Sequence, residues 1–128
     1  MVRIGQIILG EQGTKICVPI VGITEKEILD ATTVACNSEC DVVELRIDYF
    51  ERAHSVEAIL ELLMLIKPKL KGRGLLFTWR TKGEGGERSI SSDDYFIMLE
   101  QLIPTGLVDA IDIELLFDQE RMLKTIEF

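Results

Sequence analysis

In 128 residues the chain has one histidine, one tryptophan, three prolines and three cysteines. With His54 alone, no histidine cluster can form. Cys36 and Cys40 make a C-x₃-C pair, but no second pair completes a zinc tetrahedron, so no metal site is expected. Cys17, Cys36 and Cys40 are odd in number and irregular in spacing, which argues against a disulfide framework and for reduced thiols in a cytoplasmic protein. Bases are scarce as well: 14 against 22 acids, a net charge of −8. Neither a nucleic acid nor an anionic membrane is an expected partner, since both require a basic footprint. No apolar run reaches the ~18 residues of a membrane span. The start, "MVRIGQIILGEQG", has too short an apolar stretch for a signal peptide. Finally, no G-x-G-x-x-G and no P-loop follows a strand, which argues against a dinucleotide-binding fold.

What is there is a foldable chain, 47% hydrophobic, of a length suited to one domain over residues 1–128. "VRIGQIIL", with Gly5 at its middle, reads as a small β-hairpin within residues 1–13. From residue 14 onward, two kinds of segment alternate. "KICVPIVG", "DVVELRID", "GLLFTWRT" and "LVDAIDIELL" read as strands. "TEKEILDATTVACNS" opens with the capping-box pair Thr24 and Glu27. "SVEAILELLMLIKPKL" follows the cap Ser55 and has Pro68 near its end, and "SSDDYFIMLEQLI" is capped by Ser91 or Ser92. "FDQERMLKTIEF" begins a fourth helix. Four β-α units about 30 residues apart imply an α/β fold with a parallel sheet and right-handed crossovers.

The strands share a pattern. Alternate residues lie on one face, which groups Glu44, Arg46 and Asp48, then Leu76, Thr78 and Arg80, then Ala110, Asp112 and Glu114. Val43, Leu45, Ile47, Phe77, Trp79, Ile111 and Ile113 lie opposite. One face is thus apolar throughout, while the other becomes charged toward the C-terminal strand ends. In an open sheet helices would bury those charges; in a barrel they sit at the mouth, where catalytic groups belong, so the patterning favours a barrel. Internal salt bridges, such as Glu44 with Arg46 or Arg80, are the structural alternative. Four acids (Glu44, Asp48, Asp112, Glu114) face two bases (Arg46, Arg80), so a dry site here needs further cations or protonated carboxyls.

"KICVPIVG", "DVVELRIDYF", "LLFTWRTKGEGGE" and "GLVDAIDIEL", in this order, resemble the type I 3-dehydroquinate dehydratases of the shikimate pathway. The resemblance covers essentially the whole chain and rests on E-x-R-x-D and F-T-x-R-x-K-x-E-G-G-E. It implies a (β/α)₈ TIM-barrel family with a short N-terminal hairpin, of which these residues supply about four βα units, a half barrel. It also implies dehydration of 3-dehydroquinate to 3-dehydroshikimate through a lysine Schiff base, with no metal and no organic cofactor. By position, Glu44 matches an acid that orients the catalytic histidine. Arg46 and Arg80 match substrate-binding arginines, and Glu84 matches a loop acid near the substrate. Asp48, Asp112 and Glu114 fall in the supporting shell. The family's Schiff-base lysine and catalytic histidine belong to the barrel's second half, so the chain is expected to be inactive alone. A complementing C-terminal half, or a homo-oligomer, most simply a dimer, is the expected partner. A non-catalytic half barrel that self-associates or holds a small carboxylate is the alternative.

Overall fold

The β-branched runs do become strands, and the computed structural model describes residues 2–9 and 13–113. Strands β1 (Val2–Ile4) and β2 (Ile7–Leu9) pair antiparallel, with Val2 opposite Leu9. Their turn places Gly5 at φ +61°, a conformation that side chains disfavour. The main chain then runs β3 (Cys17–Ile20), α1 (Glu25–Cys36), β4 (Val42–Arg46), α2 (Val56–Leu70), β5 (Gly74–Thr78), α3 (Ser92–Leu102) and β6 (Ala110–Asp112).

All three pairings in the main sheet are parallel, and the order is β3-β4-β5-β6. Each strand lies beside the one before it. A doubly wound sheet reverses strand order at a switch point; this sheet does not, and a stepwise order is how a barrel is wound. Val43, Leu45, Leu75 and Phe77 are buried in one cluster with Ile28 of α1, Leu62, Leu63 and Ile66 of α2, and Phe96 and Leu99 of α3.

The caps follow the local chemistry. Thr24 Oγ1 accepts from Glu27 N–H, and Glu27 Oε2 accepts in turn from Thr24 N–H and Ile23 N–H. Ser55 caps α2, and Ser91 rather than Ser92 caps α3. Pro68 lies inside the last turn of α2, which runs on to Leu70 and ends at Lys71 in the left-handed region.

The expected strands are longer than the observed ones. β4 stops at Arg46, and Ile47–Tyr49 form a 3₁₀ turn, so Asp48 does not continue the face of Glu44 and Arg46. Its carboxylate is fully buried and needs donors, which the turn brings to it. Likewise β5 stops at Thr78, leaving Trp79 and Arg80 beyond the ladder. The fourth strand is the short β6. Glu114 and the expected fourth helix lie outside the described residues. Among the described residues, no helix is long and apolar enough to cross a membrane, and no group of three His, Cys, Asp or Glu side chains could hold a metal ion.

Candidate active site

Parallel register brings the charged positions together. Glu44 lies opposite Leu76, Arg46 opposite Thr78, and Thr78 opposite Asp112. The C-terminal ends of β4, β5 and β6 therefore form one polar edge. Thr78 Oγ1 donates to Glu44 Oε2 at 2.9 Å, which turns the carboxylate along the sheet. Arg46 donates through Nε and Nη2 to the two oxygens of Asp48, both at 2.9 Å, in the bidentate geometry that suits a guanidinium and a carboxylate. The same guanidinium stands 5.2 Å from the ring centroid of Tyr49, in cation–π range. Arg80 Nη2 pairs with Asp112 Oδ2 at 2.6 Å, and the buried Tyr95 of α3 donates its hydroxyl to the Asp112 carbonyl.

Both arginines are thus matched to acids, which leaves Glu44 without a cationic partner among the described residues. Asp48 takes Arg46 and Asp112 takes Arg80, while Glu44 is held by a hydroxyl. Each arginine has an acid beside it, yet the side chains stay 20% and 29% exposed, so both still meet solvent at the mouth. A simple two-arginine carboxylate clamp is weakened by this pairing, because a bound anion must share each guanidinium with a resident acid.

Asp48 is the most densely bonded of these groups. Besides Arg46 it accepts from the backbone N–H of Arg80 at 3.2 Å and of Glu87 at 3.1 Å. These two amides flank the glycine-rich loop, whose tip holds the 3₁₀ turn Lys82–Glu84. The loop closes at its neck, where Gly86 N–H donates to Thr81 C=O at 2.8 Å. A Cβ at Gly86 would lie 1.6 Å from the Arg80 carbonyl oxygen, so only glycine allows that approach. Just outside the neck, Trp79 donates its indole N–H to the Arg88 carbonyl and meets the His54 ring edge-on at 5.2 Å.

Burial pushes the Asp48 carboxyl up. The hydrogen bonds from Arg46, then from the Glu87 and Arg80 amides, outweigh burial and hold it below the ordinary 3.8. A carboxyl with a lowered folded-state pKa stabilises the fold fully above its unfolded pKa, and that contribution is lost as pH falls through the folded value. Wild type is therefore expected to lose stability as the pH drops below 3.8, and an Asp48→Asn variant to show a flatter acid limb over the same range. Urea midpoints measured at successive pH values check this; parallel curves would contradict it.

Of the site residues expected from sequence, Glu44, Arg46, Arg80 and Asp112 converge at this edge, and Asp48 lies buried beneath it. The Glu84 side chain and the whole of Glu114 lie outside the described residues. Sequence reading gave no role to Thr78, Tyr49, Tyr95 or Gly86. Period-two alternation already placed Thr78 on the charged face, whereas the contacts of Tyr49, Tyr95 and Gly86 depend on turns and packing. Lys82 is exposed in the loop, Lys67 donates to the Gly106 carbonyl, Lys69 to Thr33 and Lys26 to Asp30. His54 is exposed, although its ring also rests on Trp79.

Residues 16–128 match the sequence profile of type I 3-dehydroquinase. The chain belongs to that family. A 3-dehydroquinate dehydratase of Clostridium novyi is 40% identical over 126 residues, which are 98% of this chain and 50% of that protein. A type I 3-dehydroquinate dehydratase from Clostridium difficile, solved with covalently modified comenic acid, superposes with a TM-score of 0.94 at 35% identity, over 98% of this chain and 50% of its own. The Enterococcus faecalis 3-dehydroquinate dehydratase gives 0.87 at 36% identity with the same coverage. The chain spans about half the length of the curated relatives it matches. Its four parallel strands with their helices make up about half of the type I dehydroquinase barrel, as the residue patterning led one to expect.

Proposed function

We propose that these residues form the N-terminal wall of a site that dehydrates 3-dehydroquinate to 3-dehydroshikimate. The observation that carries this reading is the convergence of Glu44, Arg46 and Arg80 on one strand-end edge, in a chain that superposes on the C. difficile enzyme over 98% of its length. Arg46 and Arg80 offer guanidinium groups to the oxygens of an anionic substrate. Glu44, oriented by Thr78, positions an incoming histidine, and Glu84 adds an acid from the loop. The reaction needs a lysine amine as nucleophile and an imidazole to move protons. The exposed loop residue Lys82 is not held at a strand end, and His54 is engaged with Trp79 near the start of α2, so both catalytic groups would come from a second half barrel.

The test is a trap. Purified 128-residue chain, 3-dehydroquinate and borohydride are mixed, and the intact mass is read. The expected result is an unchanged mass for the chain alone. A one-substrate adduct, most readily at Lys82, would overturn the half-site reading and make the chain catalytic by itself.

One observation favours a role for association. Among the described residues β3 pairs only with β4, and Ile16, Val21, Ile23 and Val34 are 49%, 44%, 55% and 72% exposed around that edge. An apolar strand edge of this kind seeks cover. A complementing half barrel or a second copy would supply it, and light scattering at micromolar concentration distinguishes a dimer from a monomer.

A further inference from the structure

The loop from Arg80 to Glu87 contains Gly83, Gly85 and Gly86, and a Cβ added at Gly83 or Gly85 would meet nothing within 4 Å. Its tip stands in open space, and glycines raise the entropy lost on ordering it. Within the tip, Gly85 N–H donates to Lys82 C=O, and the neck adds Gly86 N–H to Thr81 C=O together with Arg80 N–H and Glu87 N–H to the two oxygens of Asp48. Those same oxygens receive Arg46 Nε and Nη2. One buried carboxylate is therefore shared by a guanidinium at the mouth and by both ends of the loop.

The geometry points to Asp48 as the positioning residue of this site, fixing the direction of the Arg46 guanidinium and fastening both ends of the 80–87 loop, so that arginine and loop are held as one body. Arg46 is a long side chain with several rotamers, and a bidentate partner selects one of them. Charge-assisted bonds to a dry carboxylate are stronger than neutral ones, so Asp48 outweighs the neutral Gly86–Thr81 bond at the neck. The consequence for catalysis rests on the reading of Arg46 as a substrate-binding group; the tether itself rests on the hydrogen bonds alone.

Hydrogen exchange by NMR on the ¹⁵N-labelled chain tests this without an activity assay. In wild type the amides of Arg80 and Glu87 are expected to exchange more slowly than that of Gly83, and Arg46 Nε–H is expected to give a persistent signal. In Asp48→Asn the Arg80 and Glu87 amides should exchange about 10-fold to 100-fold faster, the equivalent of one charge-assisted bond. The Arg46 signal should vanish, while the amides of Leu45 and Phe77 keep their protection. Equal acceleration at Leu45 and Phe77 would reduce Asp48 to a general stabilising role and overturn the proposal. So would Arg80 and Glu87 amides in wild type that exchange as fast as the tip, a result that needs no variant to fold. Adding 3-dehydroquinate to wild type bears on the substrate reading alone: an Arg46 signal that shifts supports it, while the exchange pattern by itself decides the tether.

Discussion

Gly86→Ala is expected to lower the thermal midpoint of this chain by about 10 °C. The added Cβ would lie 1.6 Å from the Arg80 carbonyl oxygen, 2.3 Å from its carbonyl carbon and 2.9 Å from the Thr81 oxygen. All three are backbone atoms, so no side chain can swing aside. The neck must part, which breaks Gly86 N–H to Thr81 C=O and strains Glu87 N–H to Asp48. Opening also limits the damage, because a loop that peels away relieves the clash. The cost is then that of the neck's hydrogen bonds, about 3 kcal/mol, rather than that of a buried overlap. Far-UV circular dichroism during heating measures it. A midpoint within about 2 °C of wild type would mean that the neck is not closed in solution.

Trp79→Ala should cost more, about 3–5 kcal/mol, in a domain whose entire stability is expected to be about 5–15 kcal/mol. Trp79 is 1% exposed and belongs to the core cluster, although it lies past the last residue of β5. Truncation leaves a large cavity, strands the Arg88 carbonyl without its indole donor, and removes the surface on which the His54 ring rests. Trp79→Phe separates these effects. It keeps an aromatic ring in the core and loses the N–H with part of the volume, at a cost of about 1–2 kcal/mol. Urea unfolding followed by circular dichroism is the right measurement, since the chain's one tryptophan fluorophore is gone in both variants. Should Trp79→Ala unfold within about 1 kcal/mol of wild type, the indole cannot be a buried wedge in the core.

Much of the half barrel was legible in the sequence because its elements are specified by local chemistry. The capping box at Thr24 and Glu27, the serine caps at Ser55 and Ser91 and the glycine turn at Gly5 act within a few residues of themselves. Alternation along "VVEL" and "LLFT" states which face meets helices, and Val43, Leu45, Leu75 and Phe77 are buried accordingly. That one apolar face beside one charged strand-end edge was also enough to favour a barrel over an open sheet.

Strand ends and pairing partners were not legible in this way. Alternation alone would carry Asp48 onto the face of Arg46. In the fold the backbone turns at Ile47, because a dry carboxylate gains more from four donors than from one more rung of ladder. Two of those donors are amides 32 and 39 residues away along the chain, and no local pattern announces them. The same holds for Arg80 meeting Asp112, and for Tyr95 reaching across from α3 to the Asp112 carbonyl. By itself, then, the sequence determined the alternating strands and helices, the parallel sense of the sheet and the residue types at the mouth, because propensity, capping and alternation act at short range. The tertiary structure alone decided which acid holds which arginine and how the glycine-rich loop is tied, because those bonds form only once β4, β5 and β6 stand side by side.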